Sequence, residues 1–281
     1  MKYWIIILLL TLSSWVFMQE CPPADTVTVT PTQNTSYSFP YLNNWERIEV
    51  MTWNIKEFPL NANTNNYVNE IISESLPDII CIQEIEDVSA YINLAESLPA
   101  YSFISTNYSG TNLDMGIAVR DDCGEITDHT TLFPSDGWAF AYRYPLQANI
   151  SWHCGTSFLN LEVINVHFKA YDEGFDQRLE ASGILSDYID ANPNENIVVA
   201  GDYNDEIDEP QNSNSFWPLI INEDAYFVTT PIANNSNQYS YPWGSYASFI
   251  DHILISSSLF GHNASGSIAT IRLDDFMGAT T

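Results

Sequence analysis

The stretch Gly201 to Asp208 reads GDYNDEID and follows the apolar run Ile197 to Ala200 directly. Asp202, Asn204, Asp205, Glu206 and Asp208 therefore crowd the end of a buried strand. Carboxylates that close repel one another and do not desolvate without compensation. A divalent cation supplies that compensation, and carboxylate and amide oxygens are the ligands that Mg²⁺ takes. Other apolar runs also end on polar residues. EVMTW ends on Asn54, DIICIQ on Glu84 and EVINV on His167, while SFI leads into Asp251 and His252. Singly each is ordinary: Asp or Asn after a strand closes a turn, and a His between Val and Phe is usually a core residue. Together they offer oxygen donors and an imidazole whose ordinary pKa of about 6.5 suits proton transfer or a hydrogen bond to phosphate. A cation bound there would polarise a phosphoryl oxygen and stabilise a leaving oxygen.

The cations point the same way. Lys56 lies two residues after Asn54 and Lys169 two after His167, and residues so spaced share a strand face. Arg143, in YRYPL, precedes another strand and could offer phosphate a bidentate fork.

These side chains need strands and helices to hold them. RIEVMTWNI alternates into a strand, residues 63 to 76 read as a helix stopped at Pro77, and DIICIQE is a short buried strand. A second helix is expected over 88 to 98 and a longer one over 174 to 191, with Phe175, Leu179, Ile184, Leu185 and Ile189 near one face. MGIAVR, LQANISW, FLNLEVINVHF, NIVVAG and SFIDHILIS read as further strands. Alternating and continuously apolar strands coexist, which implies sheets covered by helices, an α/β layered sandwich.

The chain has 281 residues, 45% of them apolar, enough for one large core. Its formal net charge is -28, from 36 acidic and 8 basic residues. No broad basic face can be built from so few cations, so strong sequence-independent grip on nucleic acid is not expected without added cations. Residues 1–20 read as a signal peptide, with Lys2 ahead of the apolar run Ile5 to Leu10, and the run is too short for a membrane span. The expected location is outside the cell or in the periplasm. Lipid attachment at Cys21 is the less favoured alternative, because Met18-Gln19-Glu20 lacks the small residues of a lipoprotein processing site. Residues 21–44 are rich in Pro, Thr and Asn and read as a linker or edge segment. Residues 45–281 would form the folded domain. Cys81 should be a buried thiol, and Cys123 with Cys154 is the best disulfide pair that export would permit.

The ordered set TWNIK, PDIICIQE, RYPL, NVHFKA, GDYND and SFIDHILIS resembles the endonuclease/exonuclease/phosphatase superfamily over residues 47 to 256. The resemblance implies a four-layer α/β/β/α sandwich with two mixed central sheets. It also implies Mg²⁺-dependent cleavage of a phosphoester by an activated water, with Mn²⁺ or Ca²⁺ as alternative ions. On the matching positions Asn54 and Glu84 are metal-side residues, and Asp202 activates or orients water with Asn204 beside it. His167 and Arg143 meet substrate phosphate, and Asp251 orients a later His; Lys56 and Lys169 are the further substrate-binding cations. The chain departs from the pattern at its end, RLDDFMGATT, where the family's Ser-Asp-His-x-Pro segment and final strand are not found. Taking Asp251-His252 as that pair is the less favoured alignment. Glu86 also stands where some nucleases of the group carry Arg. The expected function is a secreted, monomeric phosphodiesterase, a nuclease first, with nucleic acid as partner. A phosphatase, a lipid phosphodiesterase and a non-catalytic binding domain are the alternatives. Residues 239 to 246, YSYPWGSY, could stack on bases or touch a membrane interface.

Overall fold

The computed structural model describes residues 4–11, 42, 47–106, 113–154, 157–233, 238–243 and 246–273. In chain order the strands of the first half are β1 Trp4–Thr11, β2 Arg47–Phe58, β3 Ile79–Ile85, β4 Tyr101–Ser105, β5 Asp114–Arg120, β6 Gly124–Thr131 and β7 Leu146–Cys154. They are followed by β8 Ser157–His167, β9 Ile197–Asp202, β10 Ala225–Phe227, β11 Tyr241–Trp243, β12 Tyr246–Ser248, β13 Asp251–Ser256 and β14 Asn263–Arg272. The helices are α1 Thr64–Ser75, α2 Val88–Ser97, α3 Phe175–Ala191, α4 Trp217–Ile220 and α5 Thr230–Ala233. Two six-stranded sheets form, in the orders β14-β1-β2-β3-β5-β4 and β10-β13-β9-β8-β7-β6, with β11-β12 as a small separate hairpin. The pairs β2/β3 and β8/β9 are parallel and the other pairings are antiparallel, so both large sheets are mixed.

Side-chain alternation builds the layers. Ile79 and Cys81 of β3 face the other sheet, where they meet Ala148, Val163, Val198 and Ala200. Ile80 and Ile82 face outward onto Val68 and Ile72 of α1 and Leu94 of α2. In β9, Val198 and Ala200 point inward while Ile197 and Val199 pack on Ala181, Leu185 and Ile189 of α3. Strands buried on both faces read as continuous apolar runs, which is why these segments were legible as strands. The result is the expected α/β/β/α sandwich. Cys81 is a buried free thiol, and burial pushes its ionisation well up. The Cys154 side chain lies outside the described residues, as do Cys21 and, apart from Leu42, the segment 21–44 read as a linker.

One segment sits differently from expectation. Trp4–Thr11, read as part of a secretion leader, pairs antiparallel to β2 through Ile6↔Thr52 to Thr11↔Arg47 and antiparallel to β14 through Trp4↔Arg272. A run of Ile and Leu suits a strand as well as a leader, since branched side chains fit a pleated surface. The edge of β2 is therefore covered.

Candidate active site

Strand ends from both sheets meet at one pole. Asn54 ends the regular part of β2, Glu84 lies near the end of β3, His167 closes β8, Asp202 closes β9 and Asp251 opens β13. Within the second sheet His167 pairs with Asp202, and Asp202 with Asp251, so the three are neighbours by register. Ligand atoms of Glu84, His167 and Asp202 lie within 4.8 Å of one another. The Nδ2 amide of Asn54 donates to Glu84 Oε1 at 2.9 Å and to Asp202 Oδ2 at 2.8 Å, bridging the two carboxylates across the sheets. Its Oδ1 accepts the Lys56 main-chain N–H. Glu84 also accepts the Glu57 N–H, and Asp202 accepts the Asn204 N–H.

Backbone geometry aims these groups. Glu84 has φ 65°, Lys56 42°, Glu57 48° and Asn204 55°, all in the left-handed region that L-residues rarely adopt. The pairing of β2 with β3 shifts register between Asn54 and Phe58, and that of β3 with β5 between Ile82 and Ile85. Regular strand geometry ends there, so the two-residue rule that grouped Lys56 with Asn54 does not apply. Lys169 likewise lies beyond the end of β8. Its ammonium sits 5.9 Å from the centroid of the Tyr171 ring. Tyr203 is fully buried and stacks edge-on to Phe168, Phe216 and His252, plugging the GDYND turn into the core.

The acidic run divides into separate tasks. Asp205 does not face the cluster; it binds Arg178 Nη2 at 2.8 Å and Arg178 Nε at 3.0 Å. Asn204 Nδ2 donates to the Phe168 carbonyl at 3.0 Å. The remaining like-charge problem falls on Asp202, Glu84 and Asp251. Burial pushes Asp202 up to about 6, opposed by the Asn54 hydrogen bond and reinforced by Glu84. Burial and then Asp202 push Asp251 well above the usual carboxylate range, and its Oδ1 has no hydrogen-bond partner among the described residues. A carboxylate cluster whose protons are held this tightly is a set of donors short of positive charge.

His167 is buried, and burial followed by the Arg143 charge lowers its pKa well below the usual value. It is therefore neutral near pH 7, and its Nε2 approaches to 3.8 Å from Glu84 and 3.9 Å from Asp202 are not ion pairs. Arg143 Nη1 lies 2.9 Å from His167 Nε2 and 3.2 Å from Nδ1, and a guanidinium can only donate. Arg143 Nη2 donates to the Phe168 carbonyl. The fork expected to hold phosphate is thus turned onto His167 and the backbone, leaving Arg143 as a buried positive charge beside the carboxylates.

Two supports escaped sequence reasoning. Gln83 and Asn165 are fully buried between the sheets, one residue before Glu84 and two before His167. Gln83 Nε2 donates to Asn165 Oδ1 at 2.7 Å and to Thr52 Oγ1 at 3.1 Å. Asn165 Nδ2 donates to the carbonyls of Ile82 and Gly116, both at 2.8 Å. This bolt locks β3 to β8 directly behind the cluster. The available signal was a lone amide inside each of two apolar runs. The other support is Arg178, which is buried and holds Asp205.

The donor set of two carboxylates and an imidazole, converging at a strand-end pole with a raised carboxylate pKa, fits a divalent cation. Comparisons with known proteins agree with the fold. No curated protein sequence matches the chain. Among solved structures, a humanized D. rerio TDP2 carrying 14 mutations superposes with a TM-score of 0.62 at 16% identity, over 76% of this chain and 84% of that one. The mannosyl-6-phosphatase Bt3783 of Bacteroides thetaiotaomicron gives a TM-score of 0.57 at 15% identity, over 75% and 86%. The human Nocturnin catalytic domain, solved with a bound sulfate anion, gives 0.56 at 16% identity, over 75% and 83%. The endonuclease/exonuclease/phosphatase family model matches residues 51–271, and the chain belongs to that family of phosphoester hydrolases.

Proposed function

We propose that the chain is an exported, Mg²⁺-dependent phosphodiesterase that cleaves nucleic acid. The observation that carries this reading is the convergence of Glu84, His167 and Asp202 within 4.8 Å at the strand ends. Glu84 and Asp202 would hold the ion, with Asn54 spacing the carboxylates. When bound, such an ion polarises a phosphoryl oxygen and lowers the charge on the leaving oxygen. The chain's own residues do the rest. Asp202, fixed by the Asn54 amide and the Asn204 N–H, is positioned to orient the attacking water and accept its proton. Neutral His167 hydrogen-bonds a non-bridging phosphoryl oxygen, and Arg143 behind it contributes positive charge to the same region. Asn204 fixes Asp202 through its main-chain N–H. Asp251 lies beside Asp202, and burial followed by the Asp202 charge raises its own proton affinity. All of these groups come from one chain, so a monomer suffices.

Nucleic acid is favoured because a D. rerio TDP2 of the same fold is known in complex with single-strand DNA product. The mannosyl-6-phosphatase neighbour supports a phosphomonoesterase as the second reading. Export rests on the apolar run after Lys2, which would then be removed as a leader and give up its place as β1 in the first sheet.

The test sets supercoiled plasmid, a single-stranded oligonucleotide, a sugar phosphate, a phosphoinositide and sphingomyelin against the protein, each with Mg²⁺ and with EDTA. EDTA-sensitive cleavage of the nucleic acids is expected. Turnover of only the sugar phosphate or the lipids would replace the nuclease reading. In the same series Glu84→Ala should lose measurable Mg²⁺ binding by calorimetry and retain a cooperative unfolding transition. Unchanged Mg²⁺ affinity would remove Glu84 from the ion site.

A further inference from the structure

Tyr171 is the most exposed of the large hydrophobic side chains among the described residues, at 74%. Its backbone is also unusual, with φ 69° and ψ 168°. That combination is almost restricted to glycine, because a Cβ collides with its own chain there. The conformation is held from below. Arg178, buried in α3, donates from Nη1 to the Tyr171 carbonyl at 2.8 Å and to the Lys169 carbonyl at 2.6 Å. The rest of its guanidinium is fixed on Asp205, three residues past Asp202. Gly174 leaves room for this clamp, since a Cβ there would stand 2.7 Å from Arg178 Nη1 and 2.8 Å from the Lys169 carbonyl. The strain at Tyr171 is thus stabilised by a buried ion pair attached to the turn that carries Asp202. Its effect is to hold a flat ring out in water beside the site.

The ring has a charged neighbour. The Lys169 ammonium is 5.9 Å from its centroid. Tyr171 follows His167 by four residues, and the Phe168 carbonyl between them accepts the Asn204 amide of the turn that carries Asp202. A cation beside an exposed flat ring is the complement of a nucleotide, which carries a charge and a flat ring side by side. Only an unpaired base offers its face to such a ring, because a base inside a duplex is covered above and below by its neighbours.

We infer that Tyr171 forms a stacking subsite for an unpaired nucleobase adjacent to the phosphate bound at the Glu84–Asp202–His167 cluster. The inference rests on the nucleic-acid reading proposed above and names the substrate form as single-stranded. Arg178 is a positioning residue for it.

Tyr171→Gly removes the ring and suits the backbone conformation, so its melting temperature should equal or exceed that of the parent. Tyr171→Phe keeps the ring. Binding of a fluorescent single-stranded oligodeoxynucleotide is read by anisotropy in EDTA, beside the same strand with abasic residues throughout its central part. The expected result is a loss on the order of ten- to hundredfold for Tyr171→Gly on the base-bearing strand, little change for Tyr171→Phe, and no further loss on the abasic strand. Equal losses on both strands, or none on either, would overturn the subsite, as would failure of the parent to prefer the base-bearing strand. A preference of the parent for mannose 6-phosphate lost in Tyr171→Gly would reassign the ring to a sugar face and overturn the base assignment. Because binding is measured without metal, it reads the subsite independently of hydrolysis. Loss of EDTA-sensitive cleavage would count against the hydrolytic reading alone.

Discussion

At the scale of the residue, Asp202 carries two opposed demands. Its pKa is raised to about 6 from an ordinary value near 3.8, chiefly by burial. A carboxyl whose folded pKa is raised binds protons more tightly folded than unfolded. Its contribution to stability therefore falls as pH climbs from about 4 through about 6. Asn at this position does not titrate. In EDTA, the stability of Asp202→Asn relative to the parent should improve between pH 4 and pH 7, by up to about 3 kcal/mol. Denaturant unfolding at the two pH values measures this, and a pH-independent difference would show that Asp202 is not the group under strain. The same substitution should lower kcat by more than it raises KM, because a proton acceptor acts chiefly in the transition state. Asp202, Glu84 and His167 were legible because each is a polar residue ending an apolar run. Tyr171 was not, since neither a positive φ nor the clamp beneath it leaves a mark in local sequence.

At the scale of the element, the site depends on how closely strands approach. Gly201 precedes Asp202, and a Cβ there would run into the Val166 carbonyl of the neighbouring strand. The obstacle is backbone, which cannot swing aside as a side chain can. Gly201→Ala should therefore force β8 and β9 apart, lowering stability by about 3 kcal/mol or more. It should also weaken Mg²⁺ binding, because His167 and Asp202 sit opposite each other on those two strands. Calorimetry on the folded fraction tests the second effect; native ion affinity in a destabilised variant would uncouple strand spacing from the site. Strand positions were legible from apolar runs, and α1, α2 and α3 from their periodicity. Others were not: β4 and β6 are short or largely exposed and thus without a two-sided apolar pattern, β10, β11 and β12 are three residues each, β14 went unread, and β1 read as a leader. The Gln83–Asn165 bolt was hidden for another reason: the two amides are 82 residues apart, and only sheet packing makes them partners.

At the scale of the whole molecule, charge decides how a polyanion arrives. The net charge of -28 repels a nucleic acid strand at long range, although Arg143 and Lys169 attract locally. Salt screens the distant repulsion before it weakens close contacts. For a single strand of about 20 nucleotides at fixed Mg²⁺, kcat/KM should rise severalfold between about 20 and about 200 mM NaCl, the reverse of a basic nucleic-acid-binding protein. A steady fall over that range would mean that local cations dominate encounter. The two sheets carry one further consequence. Asn54 and Glu84 belong to the first, His167, Asp202 and Asp251 to the second, and the β5–β6 turn at residues 121–123 separates the two groups along the chain. Of the three ligand residues that converge, Glu84 comes from the first stretch and His167 and Asp202 from the second. Ion affinity is therefore a gauge of docking: any binding free energy spent at the pole acts as a clasp across the interior, and a loosened sandwich would leak its ion before it lost its strands.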